Sequence, residues 1–183
     1  MYTFFITKIT CKGWFKLREE YIGDVIDGLK KGGIQFASGV PDGWLGNVQR
    51  EIEKDPDIQW VLAGNEGVGF SICAGAWMGG KKPVLLMENS GLRVASEYIA
   101  RYSIAYHIPV TMILSYRGDL GDPEPWAVPH RVVCEPLLQA LRIPYFVVRE
   151  KEKIKDYIEG AIKVADGSQF PAAVVIGGDL VWQ

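Results

Sequence analysis

The chain has 183 residues, of which 48% are hydrophobic and 23% charged, which suits one globular domain with a core and not a disordered chain. The formal net charge of −2 argues against a nucleic-acid-binding or polybasic membrane-binding surface. No apolar run approaches the ~20 residues that span a bilayer, and no basic segment precedes the apolar first residues as in a secretory signal.

Helical periodicity alternates with short β-branched runs from residue 17 onward. The segment LREEYIGDVIDGLKKGG places apolar residues at helical spacing and ends in two glycines, which is typical of a helix with a glycine stop. Six short apolar segments predict strands: IQFAS, IQWVLA, KPVLLME, IPVTMILSY, IPYFVV and PAAVVIGG. The segments between them predict helices, and Pro136 lies unusually inside the helix predicted to begin near Arg131.

The strands are short and almost wholly apolar, which predicts an α/β fold: a six-stranded parallel sheet with helices on both faces. Ligands of such sheets bind outside the carboxyl ends of the strands. The loops to inspect for a site therefore follow these residues: Ser38, Ala63, Met87, Tyr116 and Ile176.

Three widely separated cysteines, Cys11, Cys73 and Cys134, match neither a disulfide framework nor the ligand spacing of a zinc site. This cysteine usage is typical of a reducing compartment. We therefore expect a cytoplasmic protein without a protein-bound metal centre of its own.

The segment GNEGVGF follows the second predicted strand and places one acid, Glu66, before a helix of small residues. Asn65 can cap this helix, and Glu66 can complement its dipole. Glycine inside a helix costs about 1 kcal/mol relative to alanine, so the small residues indicate a close approach. A neighbouring helix, another subunit and a flat ligand each satisfy that requirement.

Three further segments follow predicted strands. In SGVPDGWLG, Pro41 suits a first helical position and Asp42 a first helical turn. In MENSGL, the polar turn predicts either a helix cap or a ligand contact. The proline-rich segment from Arg117 to Pro129 has the length of a lid or binding loop, and His130 follows it.

The ordered set of these segments resembles the pyrimidine-binding (Pyr) domain of thiamine-diphosphate-dependent 2-oxoacid decarboxylases. GVPD, NEG, MENSGL, and Tyr-Arg-Gly with the proline-rich histidine loop follow the first four strands in turn. The chain is similar to phosphonopyruvate decarboxylase and to the alpha subunit of sulfopyruvate decarboxylase. The resemblance covers residues 17–183 as one Pyr domain and leaves residues 1–16 as an N-terminal extension.

The resemblance implies that Glu66 contacts N1′ of the cofactor's aminopyrimidine ring. In a dry pocket a carboxyl group keeps its proton more readily, because desolvation disfavours the charged form, and it can then share that proton with N1′. Glu66 and His130 are the implied catalytic residues. Implied cofactor contacts are Glu66, Pro41 and Asn89, and implied substrate contacts are Asp42, Gly43, Asn89, Ser90, Arg117 and His130.

The resemblance also implies an incomplete enzyme, because the family needs a second domain that binds diphosphate and Mg²⁺. The segment ADGSQF lacks the leading glycine of that domain's Gly-Asp-Gly motif and lies too near the end of the sequence. We therefore expect a beta subunit that carries this domain and holds Mg²⁺, in an α₂β₂ complex or a multiple of it. A carboligase subunit and a non-catalytic scaffold protein of the same fold are the alternatives.

The substrate class stays open at this stage. Sulfopyruvate and phosphonopyruvate carry a second anion, yet the loops offer few cations, namely Arg93, Arg117 and Arg131. Arg117 can also pair with Asp119 or Glu124 instead of a substrate. Three tryptophans near these loops favour a larger or more apolar 2-oxo acid: Trp44, Trp77 and Trp126.

Overall fold

Six parallel strands form the central sheet in the computed structural model, which describes residues 16–181. The strands are β1 (Phe36–Gly39), β2 (Gln59–Leu62), β3 (Pro83–Glu88), β4 (Thr111–Ser115), β5 (Tyr145–Val148) and β6 (Ala172–Ile176). The α-helices are α1 (Glu19–Lys31), α2 (Gly46–Lys54), α3 (Glu66–Met78), α4 (Gly91–Ile99), α5 (Val128–Ala140) and α6 (Ile154–Ser168). Except for Lys16, the predicted N-terminal extension lies outside the described residues.

The strand order is β2-β1-β3-β4-β6-β5, and every neighbouring pair is parallel. The sheet confirms the predicted six-stranded α/β fold. In this order the connection after β1 runs to β2 on one side, whereas the connection after β3 runs to β4 on the other side. Such a change of direction opens a crevice at the carboxyl ends of the two strands involved, here β1 and β3.

Helices cover both faces of the sheet, as its apolar strands require. One core lies between the sheet and α1, α2 and α6, and the other between the sheet and α3, α4 and α5. On the first face α1 and α6 approach closely, since a Cβ on Gly28 would lie 3.0 Å from Cβ of Ile158. Strands β4 and β6 are buried at every residue.

Two helices differ from the sequence-based prediction. Helix α5 begins at Val128 instead of near Arg131, because Pro129 occupies its first turn, where no backbone N–H is required. Pro136 stays inside α5 on its exposed side. Helix α4 continues as a π-helical segment, Ala100–Ile104, in which the buried hydroxyl of Ser103 donates to the carbonyl of Ile108 at 2.6 Å. None of the helices within residues 16–181 is long and apolar enough to cross a membrane.

Candidate functional site

Glu66 is the first residue of α3, at the carboxyl end of β2. Asn65 caps the helix by accepting a hydrogen bond from the backbone N–H of Val68 at 2.9 Å, so the predicted cap is confirmed. The Glu66 side chain lies against Gly91 on the first turn of α4: a Cβ on Gly91 would be 2.6 Å from its carboxyl carbon and 2.7 Å from Oε1. No residue in the described part of the chain forms a hydrogen bond or ion pair with the partly exposed Glu66 carboxylate.

The small residues of α3 allow close packing mainly with other elements of the same chain. A Cβ on Gly67 would overlap the ring of Tyr98 on α4, and one on Gly69 would lie 2.9 Å from Leu85 on β3. Of the three candidates for the close approach, a neighbouring helix therefore accounts for the start of α3. Gly75 faces open space, with no atom within 4 Å of an added Cβ, so its side of α3 is uncovered.

The turn after β1 is organised by Asp42. Its Oδ1 accepts hydrogen bonds from the backbone N–H groups of Trp44 and Leu45, and its Oδ2 accepts one from the Ser115 hydroxyl at 2.7 Å. Burial raises the pKa of Asp42, and these hydrogen bonds only partly oppose the effect. The carboxyl group thus ties the turn after β1 to the end of β4. Pro41 is exposed beside it, and both residues border a cleft of about 440 Å³.

The turn after β3 contains Asn89, which is buried. Its backbone N–H donates to the carbonyl of Ser115, and its side-chain Nδ2 donates to the carbonyl of Arg117 at 3.0 Å. The buried Oδ1 has no hydrogen-bond partner among the described residues. Ser90 occupies the cap position of α4 without a side-chain capping bond, so the capping interpretation is wrong for this residue.

The proline-rich loop is held by Asp122, whose side chain is fully buried. Its Oδ2 accepts hydrogen bonds at 2.8 Å from Nε of Arg117 and from the backbone N–H of Gly118. Burial favours a higher pKa, but these bonds outweigh it and hold the pKa of Asp122 below its usual value. The acid that pairs with Arg117 in this loop is therefore Asp122, and neither Asp119 nor Glu124, the two expected acids, takes that role.

Arg117 is itself 8% exposed and lies between two aromatic rings. Its guanidinium carbon is 4.4 Å from the ring centre of Trp126 and 5.4 Å from that of Trp44. Trp44 is completely buried, so it lines no substrate pocket, whereas Trp126 is half exposed. Of the three tryptophans that favoured an apolar substrate, Trp44 is therefore a core residue, and Trp77 packs against the core.

His130, in the first turn of α5, completes a polar cluster with residues from β3 and α4. Its Nδ1 is 2.9 Å from NH2 of Arg93, and its Nε2 is 3.8 Å from Oε1 of Glu88. Glu88 also lies 3.8 Å from NH1 of Arg117 through its other oxygen. The edge of Trp126 packs on the imidazole, with 5.8 Å between ring centres.

The first turn of α4 joins the two halves of the candidate site, because Glu66 lies on Gly91 and Arg93 reaches His130. Sequence reasoning identified Glu66, Asn89 and His130 at this edge but overlooked Glu88. The acid at the end of the apolar segment KPVLLME was the signal for it. Among residues 16–181, no group of three or more His, Cys, Asp or Glu side chains could hold a metal ion.

A second polar cluster follows β4, β5 and β6. Asp119 accepts hydrogen bonds from Arg149 at 2.7 Å and from the backbone N–H of Gly178 at 3.0 Å, and Arg131 lies 3.4 Å away. Burial favours a higher pKa, but these partners hold the pKa of Asp119 below its usual value. The cluster ties three strand ends together and uses Arg131, one of the expected substrate cations.

Comparisons with known proteins show the family of the chain. The chain is 32% identical over 151 residues to a sulfopyruvate decarboxylase subunit alpha from Methanococcus maripaludis, covering 82% of this chain and 90% of that one. It is 33% identical over 159 residues to the protein of the same name from Methanocaldococcus jannaschii, covering 87% and 94%. This chain belongs to the family of sulfopyruvate decarboxylase alpha subunits.

A solved structure supports the fold of this alpha-subunit family member. A 2-oxoglutarate:ferredoxin oxidoreductase from Magnetococcus marinus superposes with a TM-score of 0.70 at 16% sequence identity. The match covers 88% of this chain and 29% of the other. No family model matches the chain.

Proposed function

We propose that the chain is the alpha subunit of a two-chain thiamine-diphosphate-dependent decarboxylase that acts on a small 2-oxo acid, with residues 17–183 as its Pyr domain. The observation that carries this proposal is the Glu66 carboxylate, which no described residue pairs with and which lies on the backbone of Gly91. Its place at a strand end beside the β1–β3 crevice is where α/β sheets bind ligands.

The residues around Glu66 fit an aminopyrimidine ring. The carboxylate is available to a ligand, Gly91 adds no side chain beside it, and Leu62 and Val68 are exposed apolar neighbours in sequence. The buried Oδ1 of Asn89 adds an acceptor without a partner among residues 16–181. Because an unpaired buried acceptor costs about 1–3 kcal/mol, Asn89 gains from any donor that reaches it.

Thiamine diphosphate, when bound, supplies the electron sink for loss of carbon dioxide. Glu66 holds and shares a proton at N1′ of the aminopyrimidine ring, which is the step that this chain controls. Pro41 and Asn89 border the ring and restrict its position. Proton control of this kind contributes on the order of 10²- to 10⁴-fold to a rate.

The substrate contacts are assigned to the turns after β1 and β3 and to His130. The wall of the substrate pocket is formed by Asp42, Gly43 and Ser90. Asn89 contacts both the cofactor and the substrate. His130 binds the acid group of the substrate or relays a proton. Arg117 acts at longer range, because Asp122 already occupies its guanidinium and the two tryptophan rings enclose it.

The partner subunit is required to exclude water from the site. Glu66 is only partly buried, and large apolar side chains are exposed at the strand ends and on the neighbouring helices: Leu62, Val68, Val94, Leu120, Trp126, Val128 and Val132. A beta subunit that covers this surface excludes water from the carboxyl group of Glu66. We assign the Mg²⁺ and diphosphate site to that subunit, in an α₂β₂ complex or a multiple of it.

Reconstitution tests the proposal. The chain is purified alone and together with a candidate beta subunit that carries a Gly-Asp-Gly motif, and carbon dioxide release is followed with a panel of 2-oxo acids. Release that requires both chains and thiamine diphosphate supports the proposal. The same rate without the chain contradicts it, and carbon–carbon bond formation with an added aldehyde as the main reaction identifies a carboligase.

A further inference from the structure

The imidazole of His130 is held from three elements. Helix α4 contributes Arg93, strand β3 contributes Glu88, and the proline-rich loop contributes the edge of Trp126. Arg93 has a further contact, since its Nε donates to the carbonyl oxygen of Ser90 at 3.4 Å in the same helical turn. The contacts with Arg93, Glu88 and Trp126 define the orientation of the ring.

The contact with Arg93 decides which ring nitrogen carries the proton. A guanidinium group has five N–H donors and no acceptor, and it does not lose a proton in proteins. A short contact of 2.9 Å between NH2 of Arg93 and Nδ1 of His130 is therefore a hydrogen bond only if Nδ1 is the acceptor. In a neutral ring the proton then lies on Nε2, the nitrogen that faces Glu88 at 3.8 Å.

Charged groups from several elements oppose one another at this ring. Arg93 from α4 requires an acceptor at Nδ1, because an N–H on Nδ1 would face a guanidinium N–H. Glu88 from β3 lies 3.8 Å from Nε2, and its other oxygen lies 3.8 Å from Arg117 of the loop after β4. The carboxyl group of Asp42 is also near Glu88. The direct contact with Arg93 is the shortest of these interactions with the ring.

We propose that Arg93 is a positioning residue that holds His130 in the Nε2–H tautomer, with the Nε2 proton presented beside Glu88 at the carboxyl end of β3. His130 then offers one hydrogen-bond donor of fixed direction to an anionic or carbonyl oxygen that enters the site. The effect on turnover rests on the proposed function, whereas the tautomer itself does not.

The chain offers a clean spectroscopic test, because it contains only two histidines, His107 and His130. His107 has a left-handed backbone with φ of 56°, a conformation in which asparagine is well tolerated, so His107→Asn leaves a single histidine signal. The full chain is labelled with ¹⁵N in histidine, and long-range ¹H–¹⁵N correlation spectra are recorded across the pH range. These spectra distinguish a protonated from an unprotonated ring nitrogen.

At neutral pH the protein is expected to show a protonated Nε2 and an unprotonated Nδ1. In Arg93→Met the donor to Nδ1 is lost, and the spectra of the neutral ring should show a mixture of the Nδ1–H and Nε2–H tautomers. Arg93→Lys keeps a cationic donor and should restore the tautomer of the unmodified chain. A proton on Nδ1 in the neutral ring of the unmodified chain, or an unchanged tautomer in Arg93→Met, overturns the proposal.

The reconstituted complex supplies the matching kinetic readout. Arg93→Met should lower kcat/KM, and Arg93→Lys should restore it together with the Nε2–H tautomer. A loss of kcat/KM in Arg93→Met with an unchanged tautomer in the spectra would indicate a purely structural role for Arg93, and that result contradicts the proposal. Because the spectra need no turnover, an inactive complex would count against the proposed function and not against the tautomer.

Discussion

The carboxyl group of Glu66 at the start of α3 lies directly on the backbone of Gly91 at the start of α4, with 2.6 Å between its carboxyl carbon and the position of an added Cβ. Only glycine at position 91 lets the side chain lie there. This contact joins the N-termini of α3 and α4 at the crevice. It also sets the direction in which the Glu66 carboxyl group can contact a ligand.

Gly91→Ala should therefore lower activity with little loss of stability. The new methyl group meets the flexible end of Glu66 and not backbone, so the carboxyl group moves while the fold remains. Displacement of a catalytic group by about 1 Å can cost up to 10²-fold, and we expect a 10- to 100-fold decrease in kcat/KM of the reconstituted complex. Gly160→Ala is the matched control, because no atom lies within 4 Å of its added Cβ. Equal activity of both variants would contradict the geometry.

Arg117→Met should destabilise the chain before any substrate is added. The change leaves the fully buried carboxylate of Asp122 without its cation, and uncompensated buried charges cost about 3 kcal/mol. Urea unfolding of the chain measures this loss. The double variant Arg117→Met with Asp122→Asn should recover part of the stability. An Arg117→Met chain that is as stable as the original, with only KM raised, would show a direct substrate role instead.

Asp119 should make the free energy of unfolding of the chain decrease at acid pH. Its partners lower its pKa relative to the unfolded chain, so its stabilising contribution is complete above the unfolded value near 3.8 and disappears as the pH falls through the lower folded value. Asp119→Asn should cost about 2 kcal/mol at pH 7, allowing for the partial exposure of Arg149. Chemical denaturation at pH 7, 5 and 3 tests this, since the difference between the two chains should shrink only at the lowest pH. If the stability difference between the original chain and Asp119→Asn is the same at pH 3 and pH 7, the lowered pKa of Asp119 is contradicted.

The fold was largely predictable because its strands are short apolar segments separated by strong helical periodicity. IPVTMILSY and PAAVVIGG give β4 and β6, which are buried along their whole length. Helix boundaries were harder to predict where proline is involved. Pro129 starts α5 earlier than its apolar pattern suggests, and nothing in the sequence distinguishes the π-helical Ala100–Ile104 from the α-helix before it.

The places of the candidate residues in the fold were predictable from the sequence, but their side-chain contacts were not. Glu66 and His130 were identified by their place after strands and by the resemblance. Side-chain pairing depends on three-dimensional register, so the sequence could not show that Arg117 pairs with Asp122 within the loop or that Arg93 reaches His130 across 37 positions. The glycines of α3 were interpreted correctly as a sign of close approach, but the ring of Tyr98 accounts for Gly67.

The central claim is that Glu66 controls the proton of the cofactor's aminopyrimidine ring. The most direct measurement compares decarboxylation by reconstituted complexes that contain the original chain, Glu66→Gln or Glu97→Gln, at saturating thiamine diphosphate. Glu97 is an exposed acid on α4 that pairs with Arg101, so its amide variant controls for loss of one negative charge. We expect kcat to fall by about 10²- to 10³-fold in Glu66→Gln alone, while both variants assemble normally. A Glu66→Gln complex that turns over at the original rate would contradict the account.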